Sequence, residues 1–459
     1  MEEKKWSFSK AFWVANTVEL LERAAYYGVF IAMTLYLSRI LGFTDIEAAW
    51  IAGPFGALLY LLPTFSGAYA DKIGFRKALM LAFLLLTIGY AGMGILPAIF
   101  ENNGLVIYGE TTQFSGLETS WEKFLIVPIL LIVVVGGSFI KSVITGTVSK
   151  ETTVSNRARG FSIFYAMVNI GAFSGKLIVK PLRMSMGDEG LFILNFFAAS
   201  MTLIALITVF LFYKSTHTKG EGKSLNEIWN ALGKVFTNGR LITLILIITG
   251  FWMVQSQLYA TMPKYVLRMA GENAAPSWYA NVNPLVVFTT VAFITELMRR
   301  RTALFSMTIG MFIMPISALA MASGNMFDGT ILGVHPVTFM MIVGIVFQGL
   351  AEVFISPRFL EYFSLQAPKG EEGLYLGFSH LHSFISHLVG FGLSGYLLSI
   401  YCPDPKTLSV TEKLTAYDHA HYIWFVFVGI ALVSAISLII YGYVTKKIDT
   451  KKELVKSEA

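Results

Sequence analysis

Residues 67–77 read Gly-Ala-Tyr-Ala-Asp-Lys-Ile-Gly-Phe-Arg-Lys and lie where two long apolar runs, 49–70 and 76–100, meet. An apolar run of about 20 residues is long enough to cross, as a helix, a hydrocarbon core roughly 30 Å thick. Backbone polar groups inside lipid must satisfy one another, so helices are the expected spanning structure. The quoted stretch is therefore predicted to be a short polar loop between two membrane helices.

Similar apolar runs recur along the whole chain. Apolar residues make up 55% of the 459 residues and charged residues only 14%, far from the composition of water-soluble domains. We therefore expect an all-α membrane protein with twelve transmembrane helices, embedded in the lipid bilayer of the cell inner (plasma) membrane. The predicted crossings lie near residues 11–40, 49–70, 76–100, 124–147, 160–182, 190–213, 241–268, 278–298, 303–323, 335–363, 373–400 and 421–445.

Lysine and arginine are concentrated in every second connecting segment. The segments 72–77, 150–159, 214–240, 299–301 and 446–456 are rich in them, whereas the alternate segments hold few. Because basic loops are retained on the cytoplasmic side, both termini are expected in the cytoplasm. This asymmetry explains the net charge of +6, which therefore gives no indication of nucleic-acid binding.

The polar stretch 214–240 has six predicted crossings on each side. It predicts an N-terminal six-helix bundle over residues 1–213, a cytoplasmic linker over 214–240, and a C-terminal six-helix bundle with a cytoplasmic tail over 241–459. Inside the linker, Ser224 and Glu227 have the spacing of a capping box, and apolar residues follow at helical spacing. A short amphipathic helix in the membrane interface is the expectation.

The Gly, Asp, Gly and basic pattern of residues 67–77 resembles the hallmark loop between helices 2 and 3 of the major facilitator superfamily. Residues 296–301, Glu-Leu-Met-Arg-Arg-Arg, repeat the acid-then-basic order in the second half. An acid at a helix end can pair with basic groups in one state and release them in another, which makes Asp71, Arg76 and Lys77 predicted gating residues. The positive-inside bias alone would also place the basic residues there.

Ionisable residues lie inside the first apolar run, where residues 19–28 read Glu-Leu-Leu-Glu-Arg-Ala-Ala-Tyr-Tyr-Gly. Such groups are costly in a membrane unless they pair or line water. Glu19 lies one helical turn from both Glu22 and Arg23. Since two carboxylates cannot both be neutralised by one guanidinium, one of them can exchange a proton near physiological pH. Glu19, Glu22 and Arg23 are the predicted proton-coupling residues.

The same string resembles the signature of the proton-dependent oligopeptide transporter family, a Glu-two-apolar-Glu-Arg string followed by Tyr-Tyr-Gly. Further matching positions are spread over both halves of the chain. The resemblance implies secondary active, proton-coupled uptake of di- and tripeptides or peptide-like zwitterions by alternating access of two six-helix bundles. The substrate-binding residues that we assign from it are Arg23, Tyr26, Tyr27, Tyr60, Lys141, Asn169, Ser256, Asn283 and Glu352.

The charges alone suggest compatible roles. Arg23 and Lys141 are cations of the N-terminal half, and Glu352 is an anion near the middle of a C-terminal crossing. Such a dipolar arrangement orients a zwitterion, with its carboxylate at Arg23 or Lys141 and its ammonium at Glu352. Two simpler interpretations stay open: Lys141 extends toward the membrane surface, or Glu352 pairs with Arg358.

The sequence departs from the family at Phe30 and Ser256, where peptide transporters commonly carry an arginine and an acid that pair. Both partners are absent together, which avoids stranding one charge in a low-dielectric setting. Proton coupling then depends on Glu19 and Glu22. The alternative is a transporter of a non-peptide organic anion, or of another small polar solute, with altered or absent proton coupling.

Other functions find less support in the sequence. It contains no set of metal ligands, Gly-rich phosphate loop or Gly-x-Ser-x-Gly motif, and the lone Cys402 forms neither an intrachain disulfide nor a cysteine cluster. We expect neither an enzyme nor a bound cofactor or metal, and a functional monomer whose partners are substrate, protons and lipid but no nucleic acid. The roles of His380, His382 and His387 stay open between titration, ligand binding and structure.

Overall fold

The computed structural model describes residues 8–109, 111–153, 156–214, 224–366, 377–409, 411–412 and 415–458. Among these, ten helices are long and apolar enough to cross a membrane, or eleven if one bent helix pair counts as a single span. The described residues form a mainly helical structure, as predicted. One exception is a two-stranded antiparallel ribbon, in which Val106–Ile107 (β1) pairs with Gln113–Phe114 (β2) in the loop before residue 126.

The helices that precede the linker follow the predicted crossings closely. They are α1 (Lys10–Leu35), α2 (Asp45–Leu61), α3 (Pro63–Ile73), α4 (Phe75–Asn102), α5 (Ile126–Lys150), α6 (Arg157–Met186) and α7 (Glu189–Phe212). A π-helical turn over Tyr36–Ile40 prolongs α1. Gly74, in the quoted 67–77 stretch, links α3 to α4 with a φ of +88°, a conformation that favours glycine.

The linker and second half contain α8 (Leu225–Thr237), α9 (Gly239–Gln255), α10 (Gln257–Ala260), α11 (Met262–Ala270), α12 (Pro276–Tyr279), α13 (Val282–Met298), α14 (Ala303–Ser323), α15 (Pro336–Leu365), α16 (Leu381–Tyr401) and α17 (Tyr422–Glu458). The predicted crossing 241–268 is interrupted and consists of α9, α10 and α11 in succession. Pro263, in the first turn of α11, contributes to the second interruption because proline has no backbone N–H to donate.

Contacts within the chain define two compact units. The first comprises Met1–Ile228 with Ala275–Asn281, and the second comprises Trp229–Ala274 with Val282–Ala459. In the first unit, α1 packs on α6 and α7, while α4 packs on α5 and α7. In the second, α14 packs on α15 and α17, α9 on α16 and α17, and α13 on α15.

Two glycines of α6 allow that helix to approach α1 closely. A Cβ atom on Gly171 would lie 2.4 Å from the carbonyl oxygen of Leu20, and one on Gly175 would lie 2.1 Å from that of Ala24. Small residues four apart are a common device for bringing membrane helices into backbone contact. The contact places the charged turn of α1 directly against α6.

The chain bends by 48° between α2 and α3, where Pro63 begins the second helix. Two serines of α5 and α3 tie this bend to α5. Ser142 donates its hydroxyl to the carbonyl of Pro63 at 2.8 Å, and Ser66 donates to the carbonyl of Ser138 at 2.8 Å. The bend therefore has a fixed position next to α5, one helical turn from Tyr60.

The predicted capping box of the linker helix is present in α8. Glu227 accepts from the backbone N–H of Ser224 at 2.6 Å, and Ser224 accepts from that of Glu227 at 3.2 Å. Ile228 and Leu232 are buried, whereas Trp229 and Phe236 are exposed. Such exposed aromatic side chains on an amphipathic helix suit a membrane interface. The side chain of Leu225, also predicted on the apolar face, lies outside the described residues.

Candidate functional site

A buried cluster of three charges forms on α1, as the spacing of the sequence predicts. The Nε atom of Arg23 lies 3.2 Å from Oε1 of Glu19, and the guanidinium also contacts Oε2 of Glu22. Glu19 and Glu22 are only 3% and 1% exposed. One arginine is therefore shared between two buried carboxylates, and the cluster has one negative charge more than it has positive charges when both acids are ionised.

The second carboxylate oxygen of Glu19 lacks a hydrogen-bond donor in this cluster. Its Oε2 is buried and has no hydrogen-bond partner among the described residues. Burying a carboxylate oxygen without a donor is unfavourable. A bound proton, or a donor group of a ligand, relieves that cost. The cluster is thus arranged to take up a proton or a polar ligand group.

Tyrosine side chains surround the guanidinium of Arg23. Its Cζ atom lies 5.4 Å from the ring centre of Tyr26 and 6.0 Å from that of Tyr27. Tyr26 in turn stacks on Phe30, with ring centres 5.2 Å apart. Phe30 therefore uses the position of the family's arginine for an aromatic contact. These rings leave Arg23 partly open, with its side chain 17% exposed.

A cavity of about 250 Å³ opens next to this cluster, inside the first unit. It brings together seven of the predicted site residues: Glu19, Glu22, Arg23, Tyr26, Tyr27, Tyr60 and Lys141. The Nζ atom of Lys141 lies 5.9 Å from the ring centre of Tyr60, and the side chain is exposed to the cavity. Lys141 therefore points into the same space as Arg23 and does not extend away from it toward the membrane surface.

Of the residues that line this cavity, eight were not among the predicted site residues. Tyr90, Phe164, Tyr165 and Val168 line it together with the charged groups. The signal for Tyr90 was a lone phenol in the apolar run 76–100. Asn169, by contrast, was predicted to bind substrate but does not line the cavity, because its amide donates to the carbonyl of Tyr165 at 2.8 Å.

A second polar site lies in the second unit around Glu352 of α15. The amide of Asn283 donates to its Oε2 atom at 3.3 Å, and the amide of Gln255 donates to the same oxygen at 3.0 Å. Arg358, the alternative partner in the sequence analysis, instead pairs with Glu361 at 2.7 Å and donates to the carbonyl of Met298. Two neutral amides thus donate to the carboxylate of Glu352 in this site.

Ser256 does not join this second site. Its hydroxyl donates to the carbonyl of Met253 at 2.9 Å, within its own helix, and the residue is buried. The α9 side chain next to Glu352 belongs to the preceding residue, Gln255, which the sequence analysis did not include. A role of Ser256 in substrate binding stays a prediction.

The predicted gating residues lie at one end of the first unit. Oδ1 of Asp71 is 3.8 Å from Nζ of Lys150, and both side chains are exposed. Arg76 donates to the carbonyl of Phe210, the third residue from the end of α7, at 2.7 Å, while Lys77 is exposed. Asp71 and Arg76 therefore connect α3 to α5 and α4 to α7 within this unit. The exposed carbonyl end of α7 is a favourable place for a cation.

The histidines at the start of α16 and within it contact neighbouring rings, a hydroxyl group and the backbone. His382 stacks on Trp252 with ring centres 5.2 Å apart, and its Nδ1 atom is 3.0 Å from the hydroxyl of Ser383. The Nδ1 atom of His387 is 2.8 Å from the carbonyl of Ser383. Both rings are buried. His380 lies close to His382, at 6.2 Å between ring centres.

Apolar helices of membrane-spanning length, with buried charges lining a cavity, indicate a multi-pass membrane protein with a polar internal cavity. The chain belongs to the major facilitator superfamily, whose sequence profile matches residues 17–334. A second profile, that of the organic anion transporter polypeptide (OATP) family, matches residues 332–459. The superfamily and the fold point to a transporter and not to an enzyme, located in the inner membrane.

Among curated proteins, bacterial dipeptide and tripeptide permeases resemble part of this chain. The dipeptide and tripeptide permease A of Citrobacter koseri is 26% identical over 259 residues, which are 55% of this chain and 45% of the permease. That of Proteus mirabilis is 28% identical over 199 residues, covering 42% of this chain and 36% of the permease. The matched part of the chain thus spans about half the length, or less, of these relatives.

Solved structures of peptide transporters share the fold over nearly the whole chain. A bacterial homologue of the human drug peptide transporters PepT1 and PepT2 has a TM-score of 0.71 at 18% identity, covering 95% of this chain and 99% of that one. A POT family transporter in complex with 5-aminolevulinic acid has a TM-score of 0.69 at 17% identity, covering 94% and 96%. The predicted resemblance to the proton-dependent oligopeptide transporters is therefore confirmed.

Proposed function

We propose that this protein is a secondary active transporter that couples proton movement to the uptake of di- and tripeptides or peptide-like zwitterions by alternating access. The observation that carries the proposal is the buried trio on α1, in which one arginine serves two acids beside a cavity. Because Arg23 compensates one negative charge, protonation of the other carboxylate removes the excess charge. Proton uptake can thereby change how strongly the arginine is held by its own acids.

Substrate recognition follows from the same geometry. When one acid is protonated, Arg23 has hydrogen-bonding capacity left for a substrate carboxylate, and Lys141 is a second cation in the cavity. Tyr26, Tyr27 and Tyr60 add phenol groups and ring faces that suit a peptide. In the second unit, Glu352 is the group proposed to bind the substrate ammonium, with Asn283 beside it.

The topology that we propose has twelve crossings in two six-helix bundles, residues 1–213 and 241–459, joined by the cytoplasmic linker 214–240. The bent pair α2 and α3 and the charged helix α1 complete the ten apolar spans. The distribution of lysine and arginine supports cytoplasmic termini. Asp71, Arg76 and Lys77 then lie at a cytoplasmic gate, and the protein functions as a monomer.

The alternative is an organic-anion transporter with altered or absent proton coupling. It is favoured by the profile match over residues 332–459 and by the absence of an acid at Ser256. The buried acids Glu19 and Glu22 support the peptide proposal more strongly, because a site that binds only anions does not require two carboxylates next to its cations.

A two-stage experiment tests the proposal on the purified full-length protein. Thermal-shift screening against dipeptides, tripeptides, 5-aminolevulinic acid and organic anions identifies ligands, because a ligand of the folded state raises apparent stability. Uptake of the best ligand is then measured in proteoliposomes with and without an inward proton gradient. We expect peptide-like zwitterions to stabilise the protein and the gradient to drive their accumulation. Stabilisation by organic anions alone, with uptake indifferent to the gradient, would establish the alternative.

A further inference from the structure

Gln255 is the last residue of α9, and its side chain contacts the carboxylate of Glu352. Its Nε2 atom donates to Oε2 of Glu352 at 3.0 Å, next to the weaker donation from Asn283 at 3.3 Å. Only 7% of the residue is exposed. Gln255 therefore has a fixed orientation, since rotating its amide would bring two acceptor oxygens together.

The oxygen atom of the Gln255 amide, unlike the nitrogen, lacks a hydrogen bond within the described part of the chain. The Oε1 atom of Gln255 is buried and has no hydrogen-bond partner among the described residues. Buried acceptors without a donor are rare in native proteins, and each requires an explanation. The carboxylate of Glu352 and the carbonyl of Gln255 are adjacent acceptors, so a group with several N–H donors would complement them. A primary ammonium has three such donors.

We propose that Gln255 is a specificity-determining residue of the site around Glu352. Glu352 supplies the negative charge that attracts an amine, and the Gln255 carbonyl accepts one of the N–H groups of that amine. The pair therefore selects primary ammonium groups over fully methylated ones of the same charge. This inference rests on the proposed function, because it assigns the end of a peptide-like zwitterion that the second unit recognises.

Gln348 offers a matched control on α15, one helical turn from Glu352. It is also buried, and its Oε1 atom likewise has no partner among the described residues. Its amide, however, donates to the backbone carbonyl of Val254 at 3.3 Å and not to Glu352. Replacing either glutamine by methionine keeps the length of the side chain and removes one buried amide. Only the loss of Gln255 should alter recognition of the amine.

Binding to the full-length protein is measured for alanylalanine, its N,N,N-trimethyl form and its N-acetyl form. For the wild type we expect trimethylation to weaken binding at least tenfold, the effect of losing a charge-assisted hydrogen bond. In Gln255→Met this ratio should fall to about twofold, while the N-acetyl form, which lacks the ammonium charge, still binds poorly. In Gln348→Met both ratios should match the wild type.

The outcomes separate this inference from the proposed function. If the wild type binds none of the three compounds, the peptide proposal fails and the inference falls with it. If it binds alanylalanine but the trimethyl ratio is unchanged in Gln255→Met, only the inference is overturned, because that ratio then reports the bulk of the methyl groups. Should Gln255→Met not fold, Gln255→Leu removes the same carbonyl and decides between the same two results.

Discussion

At the scale of single residues, we expect Glu22 to link proton movement to transport. It is 1% exposed and contacts the arginine that Glu19 also contacts. Glu22→Gln keeps the shape of the side chain but leaves it permanently neutral, like the protonated acid. We expect accumulation driven by a proton gradient to be abolished, whereas counterflow exchange, which needs no net coupling, persists.

Both activities are measured in proteoliposomes with and without an imposed pH difference. Glu412→Gln is the matched control, because that side chain is exposed in the connection between α16 and α17, where it accepts a hydrogen bond from the backbone N–H of Ser409. It should accumulate substrate like the wild type. Full accumulation by Glu22→Gln would remove Glu22 from the coupling mechanism.

A second prediction at the scale of single residues concerns Lys141. If its ammonium binds the substrate carboxylate, amidating that carboxylate should cost about 1.5–3 kcal/mol, or roughly ten- to a hundredfold in affinity. Lys141→Ala should lose a similar amount for the free acid. It should lose little more for the amide, because one partner is already missing.

Titrating alanylalanine and its C-terminal amide against the wild type and Lys141→Ala gives the coupling energy directly. Lys446→Ala, a loss of an exposed lysine in α17, serves as the control and should leave both affinities unchanged. A coupling energy near zero would leave Arg23 as the remaining candidate in this cavity for the carboxylate contact.

At the scale of helices, the contact between α1 and α6 positions the charged trio. Because a Cβ on Gly175 would lie 2.1 Å from the backbone oxygen of Ala24, Gly175→Ala must push the two helices apart. Overpacking of this kind destabilises by about 1–3 kcal/mol. Gly429→Ala is the control, since nothing lies within 4 Å of its Cβ position in α17.

Thermal unfolding of both variants in detergent measures the difference. Gly429→Ala should be neutral or stabilising by about 0.5–1 kcal/mol, the ordinary gain of alanine over glycine inside a helix. Gly175→Ala should unfold at a lower temperature and bind substrate more weakly. Equal stability of the two variants would mean that the close approach of α1 and α6 is not required.

The sequence predicted the features that depend on neighbours along the chain. Spacing within one helix placed Glu19, Glu22 and Arg23 together, and the capping box at Ser224 began α8. The sequence did not predict contacts between segments that are distant along the chain. The bond from Gln255 to Glu352 joins residues 97 positions apart, and it depends on how α9 packs near α15. The sequence analysis assigned Ser256 to the substrate site from the family resemblance and did not include Gln255.

The short ribbon of β1 and β2 was missed for a related reason. Its strands are two residues long, too short to show an alternating pattern in the sequence. The bend at Pro63, in contrast, follows from a proline within an apolar run, since proline removes a backbone donor. The sequence therefore predicted features that depend on local chemistry. It did not predict contacts that depend on how distant parts of the chain pack together.

At the scale of the whole molecule, the number of crossings depends on α1. That helix is 26 residues long, or about 39 Å at the usual rise per residue, enough to span a bilayer. Yet Glu19, Glu22 and Arg23 place three charges within five residues near its middle. Because these charges pair with one another and line a cavity, we expect α1 to cross the membrane.

Single cysteines at the two ends of α1 test that expectation. In a Cys402→Ser background, Ser9→Cys and Ile46→Cys report the positions just before α1 and at the start of α2. If α1 crosses, an impermeant maleimide added to intact cells should label Ile46→Cys alone, and Ser9→Cys should become reactive only after the cells are opened. Replacing the N-cap Ser9 costs roughly 1 kcal/mol, too little to reverse a twelve-helix topology. Labelling of both cysteines from the same side would place α1 along the surface, and the protein would then have an odd number of crossings with its termini on opposite sides.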